Sequence, residues 1–183
     1  VLEPGGLVDT FLPPPPEESG RMARVLGSLA DGTDSAMYNS PYAIALGHPA
    51  FGAVATARDL LRFGLLFAPN SKERLFSAAT VRAMTTDQTG GQVVGSIIGL
   101  GPEVVRPWGL GFMVRGTAGA LGFGDLTSPA SYGHAGASGC VVLVDPVHDL
   151  TVAYLSNRHV RTGPQPFTAR LDAVVNGVLA ALT

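Results

Sequence analysis

The 183-residue chain is 46% hydrophobic and only 14% charged, a composition that builds a packed domain and excludes a disordered polymer. Its net charge of -2, with no basic block interleaved with aromatics, gives nucleic acid no footing, and no apolar run reaches the ~18 residues of a membrane span. One cysteine, Cys140, excludes an intrachain disulfide, and the four histidines lack the i, i+4 spacing of a helical zinc site.

Residues 1–52 show little periodicity. The four prolines of FLPPPPEESG predict an exposed polyproline II stretch. DGTDSAMYNSPYAIALGHPAFG is similarly rich in breakers, so 1–52 reads as mostly irregular chain draped over a core. No signal-peptide pattern stands at the start, but VLEPGGLVDT reads like the middle of a domain, so the compartment stays open. Regular structure is predicted from ATARDLLRFGLLFAPN. Thr56 is a good N-cap and Asp59, three residues on, makes a weak capping box. Leu60, Leu61, Phe63 and residues 65–67 supply an apolar face at helical spacing before Pro69 and Asn70 end it. A second short helix, capped by Ser77, is predicted in SAATVRAMTT. The Gly-rich DQTGGQVVGSIIGLGPE reads as a loop or hairpin.

WGLGFMVRG, at 108–116, reads as a strand. GCVVLVDP at 139–146 and LTVAYLSNR at 150–158 are two more, and the Asp145-Pro146 turn starter predicts that they form an antiparallel hairpin. The first of the pair is apolar at nearly every position, so both its faces are expected to be buried. PFTARLDAVVNGVLAALT places Phe167, Leu171, Val174, Val175, Val178, Leu179 and Leu182 on one helical face, predicting a helix over 165–182 that covers the sheet. Helices, then antiparallel strands, then a covering helix give an α+β class.

Few residues carry candidate chemistry. GASGC approaches a Gly-x-Ser-x-Gly elbow around Ser138, but Cys140 replaces the last glycine. Ser138 also follows a loop and precedes a strand, whereas an elbow serine follows a strand and precedes a helix. It reads as a small residue at a strand entry. His148 reads as an exposed turn residue, and His48 and His159 as solvated or held by local hydrogen bonds. GLGPEVVRPWGLG and GTAGALGFGD lack Gly-Lys-Ser/Thr and a βαβ frame, so neither is a phosphate cradle. There remains SYGHAGASGC. Its small residues around His134 let another group come close to the backbone.

His134-Ala135-Gly136 resembles the third motif of the serine β-lactamase and penicillin-binding-protein family, which is Lys-Thr-Gly there and often begins with His in the esterase-like branch. VLEPGGLVDTF is similar to that family's Pro-Leu-Gly-Met-x-Asp-Thr-Phe segment, and FGAVATARDLLRF to its Thr-Ala-x-Asp-Leu helix start. WGLGFMV resembles its Tyr-Gly-Leu-Gly-Phe strand, and YGHAGASGCVVLVDPVHDLTVAYLSNR its C-terminal ending. The pieces run in family order from residue 1 to the C-terminus.

The resemblance implies a partial β-lactamase/DD-peptidase-like fold, an antiparallel sheet flanked by helices, with 1–183 the C-terminal part of one domain. It implies an acyl-serine hydrolase working by two-step acyl transfer on a small-molecule ester or amide, with no cofactor. In the family a Ser-x-x-Lys supplies the nucleophile and a Tyr-x-Asn or Ser-x-Asn a second proton-transfer group. Neither stands here. The single lysine, Lys72, has Pro69 three residues before it. Tyr38-Asn39-Ser40 has Ser where Asn belongs and falls after LEPGGLVDT instead of before it, so Tyr38 reads as a packing residue. The expected partner is therefore a missing N-terminal part of the same domain. Under the resemblance the Ala137 N–H, on the edge of a strand over 137–144, points at the oxygen where charge develops. Gly136 permits close approach, His134 reaches the proton-transfer groups or the substrate, and Tyr132 and Trp108 line the pocket. A histidine attracts a carboxylate less than a lysine does, which favours an esterase, acyltransferase or peptidase over a dedicated β-lactamase. The alternative is a non-catalytic relative that binds a ligand or forms assemblies.

Overall fold

A computed structural model describes residues 1–27, 36–90, 92–94, 104–105, 107–117, 119, 122–160 and 168–182. Strands β1 (Thr10–Phe11) and β2 (Val54–Ala55) pair antiparallel, Thr10 opposite Ala55. Between them the chain is more regular than its breakers predict. The proline run ends in a 3-10 helix, Pro16–Arg21, because a proline at the first helical position gives up an N–H that the helix does not use. Two short helices follow, α1 (Ala36–Asn39) and α2 (Pro41–Leu46). The Ser40 side chain accepts from the Ala43 N–H to open α2, and Gly47, at φ 53, closes it in the left-handed region.

Helix α3 (Ala57–Leu65) starts where expected, with the Thr56 hydroxyl accepting from the Asp59 N–H at 3.2 Å. Its apolar stripe is wider than the face it buries. Leu66 and Phe67, just past its end, enter the core, whereas Leu61 and Leu65 face outward. Helix α4 (Ala78–Thr85) is capped by Ser77. The Gly-rich stretch after it contains a paired β3 (Val93–Val94) and β4 (Val104–Val105), and the chain between these two strands lies outside the described residues.

The strand expected over 108–116 is only β5 (Met113–Val114). Trp108 folds back to bridge Met113, and the Gly109 N–H donates to the Phe112 carbonyl at 2.8 Å. The glycines that look like strand residues make a turn instead: Gly111 sits at φ 112 and a Cβ at Gly109 would overlap the Met84 carbonyl. After it come β6 (Tyr132–Gly136), β7 (Cys140–Asp145), β8 (Leu150–Tyr154) and helix α5 (Ala169–Ala180). The four strands form one antiparallel sheet in the order β5-β6-β7-β8.

Period-two alternation divides the sheet's side chains between two clusters. Val141, Leu143, Val152 and Met113 pack with Leu171, Val175 and Leu179 of α5. Val144, Tyr132 and Val114 pack with Leu66, Phe67 and Phe112 beside α3. Both faces of β7 are thus covered, as its unbroken apolar run predicts. Gly64 brings α3 close: a Cβ there would stand 2.9 Å from Thr151 Cγ2 and 3.0 Å from Val142 Cγ2. Of the stripe predicted for the last helix, Leu182 is exposed and Phe167 lies outside the described residues. No helix among the described residues is long and apolar enough to cross a membrane.

Candidate active site

SYGHAGASGC is a strand and a turn, not a loop leading into a strand. Residues Tyr132–Gly136 form β6, paired with β7 so that Tyr132 faces Val144, His134 faces Val142 and Gly136 faces Cys140. Gly133 makes this possible, because a Cβ there would overlap the Val142 carbonyl. Ala137 lies in the turn that joins β6 to β7, so the donor expected on a strand edge sits at a strand end.

The geometry of that turn fixes one peptide. The Gly136 carbonyl accepts from the Gly139 N–H at 3.0 Å, and Gly139 adopts φ 92 to reach it. In a planar trans peptide the C=O and the following N–H point in opposite directions. Clamping the Gly136 oxygen therefore aims the Ala137 N–H away from the turn. The next carbonyl, that of Ala137, accepts from the Val160 N–H at 2.9 Å. The Ala137 N–H itself meets no acceptor among the described residues. A donor held by its neighbours and left unsatisfied suits an oxygen that gains negative charge, since nothing must reorganise to receive it.

Gly136 adds space. Its φ lies outside the left-handed region, and a Cβ would meet nothing nearer than Ser138 Oγ at 3.7 Å. The chain does not itself demand a glycine there, whereas Gly133 and Gly139 are demanded by the backbone beside them.

His134 lies on the same sheet face as Val142, because directly opposed residues share a face. Its ring is solvent-accessible, yet the surrounding protein desolvates it and holds its pKa below the ordinary histidine value, against a smaller opposing effect of the Ala135 backbone. Trp108 stands beside it, ring centroids 5.6 Å apart and planes at 61°.

Tyr132, expected to line the pocket, stands in the core of this chain. It is buried in the α3-side cluster and its hydroxyl donates to the Phe67 carbonyl at 2.6 Å. Burial pushes its pKa up to about 12. It supports the start of β6. His148 is exposed in the turn, as expected, and its Nδ1 also lies 2.7 Å from Asp145 Oδ2. Asp145 is fully buried and accepts as well from the Ser128 N–H and hydroxyl and from the Val147 N–H. Burial alone would raise its pKa, but these bonds hold the carboxyl well below the usual carboxylate range. Only the turn-starting Asp-Pro hinted at this network in the sequence. Ser138 lies in the turn with Oγ 3.3 Å from Cys140 Sγ. His48 is held locally, its Nδ1 accepting from the Ala50 N–H, while His159 is buried with its ring centroid 6.0 Å from that of Tyr38. No group of three His, Cys, Asp or Glu side chains among the described residues is placed to hold a metal ion.

The family model described as Beta-lactamase matches residues 1–177. The chain belongs to the β-lactamase family. A protein named as a D-alanyl-D-alanine carboxypeptidase in Escherichia coli (strain K12) is 36% identical over 86 residues, which are 46% of this chain and 17% of that protein. The solved structure of a β-lactamase from Mycobacterium bovis is 29% identical with a TM-score of 0.66, covering 100% of this chain and 54% of its own. EstA from Arthrobacter nitroguajacolicus, 20% identical with a TM-score of 0.67, shares the fold over 100% of this chain and 52% of its own. The chain thus spans about half the length of these solved structures and less than a fifth of the curated relative.

In this β-lactamase-family chain two distant motifs form one piece. The buried Asp59 carboxylate, from TARDL, accepts from the Asp9 N–H at 2.7 Å and the Thr10 hydroxyl at 2.9 Å, from VDT. Arg62 Nε donates to the Gly5 carbonyl at 2.7 Å. The N-terminal segment is thereby stapled along α3, the helix that supports the His134 face of the sheet.

Proposed function

We propose that this chain supplies the substrate-facing strand and one oxyanion donor of an acyl-serine hydrolase, with the nucleophilic serine contributed by polypeptide outside these 183 residues. An ester or amide carbonyl lies against the β6–β7 turn. The serine adds to it, the Ala137 N–H receives the developing negative charge, and the leaving alcohol or amine departs. Water or a second alcohol then releases the acyl group. The observation that supports this most is the Gly136–Ala137 peptide, clamped through its carbonyl with its N–H unengaged and with open space at Gly136. A rigid donor of this kind contributes about 3–4 kcal/mol of barrier lowering, a factor of about 100–1000. His134, desolvated toward the neutral form, suits an uncharged ester better than a carboxylate-bearing substrate.

Full-length protein given p-nitrophenyl acetate or butyrate is expected to release p-nitrophenol and to carry an acyl mass on a serine. His134→Ala should lower turnover while leaving thermal unfolding unchanged. A folded full-length protein that forms no acyl-serine adduct overturns the reading in favour of a non-catalytic, ligand-binding relative.

A further inference from the structure

We propose that Trp108 is the positioning residue of His134, fixing the plane of its imidazole at the substrate end of β6. What His134 then does rests on the acyl-transfer reading; the contact does not. The two rings are T-shaped, centroids 5.6 Å apart and planes at 61°. That geometry favours one ring plane over others, which an aliphatic neighbour does not.

Trp108 is itself held firmly. It bridges Met113, the β5 residue paired with Gly133 of β6, and its carbonyl accepts from the Gln88 N–H at 2.6 Å. The preceding carbonyl, of Pro107, accepts from the Val114 N–H at 2.9 Å. The following residue, Gly109, fits so closely on Met84 that a Cβ would overlap its carbonyl. A half-buried indole on a turn tied at three points is a fixed wall.

His134 needs such a wall. Across the strand pair it meets Val142, which has no polar atom in its side chain, and the polar group that acts on its ring is the adjacent Ala135 backbone, with Trp108 beside the ring. The torsion that turns an imidazole is broad, so backbone placement alone does not fix the plane of the ring. Trp108 restricts that plane. The turn 107–112 thereby acquires a purpose that strand pairing does not give it.

The test uses Trp108→Phe and Trp108→Leu in the full-length protein, each first checked for cooperative thermal unfolding. Trp108→Phe should keep ester kcat within about threefold of wild type, whereas Trp108→Leu should lower kcat about tenfold to a hundredfold with KM changed less than about twofold. Histidine-labelled NMR should show one ordered His134 imidazole in wild type and Trp108→Phe, and a broadened or relocated signal in Trp108→Leu. A folded Trp108→Leu with wild-type kcat overturns the assignment, as does a wild-type spectrum with no cross-relaxation between the indole and the imidazole. That last measurement needs no variant. If the wild type forms no acyl-enzyme, the acyl-transfer reading fails, while cross-relaxation and ring order still decide the role of Trp108.

Discussion

Two glycines of one strand, three residues apart, answer to different demands. A side chain at Gly133 would run into the Val142 carbonyl, whereas one at Gly136 would touch nothing nearer than 3.7 Å. Gly133→Ala should therefore destabilise the fold by about 1–3 kcal/mol through overpacking. Gly136→Ala should leave urea unfolding near wild type and lower ester turnover at least about tenfold, because the methyl occupies the substrate's approach. Equal losses of stability in the two variants would show that the space at 136 belongs to the protein. The proposed residues His134, Gly136 and Ala137 were marked in the sequence by the resemblance of His134-Ala135-Gly136 to a family motif, not by composition. The burial of Tyr132 was not legible, because its hydroxyl partner, the Phe67 carbonyl, lies 65 positions away and is a backbone atom that no side-chain pattern marks.

At the scale of elements, the turn between β7 and β8 depends on one carboxylate. Asp145 is the last residue of β7, fully buried, and its oxygens gather donors from Ser128, Val147 and His148. Its folded pKa is depressed, so its contribution is complete above the unfolded value of ~3.9 and is lost as pH falls from there toward the folded value. Unfolding followed at neutral pH should show Asp145→Ala weaker by about 3–5 kcal/mol, since buried donors lose a charged acceptor. The gap from wild type should narrow below about pH 4. A gap that holds constant across that range would mean the carboxylate's charge is not what matters. Helix starts and the β7–β8 hairpin were legible because each rests on local chemistry: Thr56, Ser77 and Asp145-Pro146 act within a few residues. The turn at 107–112 was misread as strand because Trp, Leu, Phe and Met satisfy strand periodicity equally well. What decides against a strand is the tight seat of Gly109 on α4, a tertiary contact.

For the whole molecule, the α+β class and the helix covering the sheet follow from the succession of periods along the chain. Strand order does not, because period-two patterns say which face is buried and not which strand lies alongside. Among the described residues β8 pairs only with β7, leaving its far edge open, and Leu61 and Leu65 lie exposed on α3. An open edge offers unpaired donors and acceptors to another chain. The 183-residue chain alone should thus associate with rising concentration in sedimentation velocity, and the full-length protein should do so less. A two-state monomer of the 183 residues would speak against a missing complement. The β6–β7 turn sits at the other extreme of constraint. Gly139, left-handed at φ 92 and seated against the Arg158 carbonyl, determines which way the neighbouring peptide dipole points. Invert that turn and an oxygen replaces a hydrogen at the mouth of the site, so attraction for an anion becomes repulsion. The sign of the local electric field is thus entrusted to the one amino acid that has no handedness of its own.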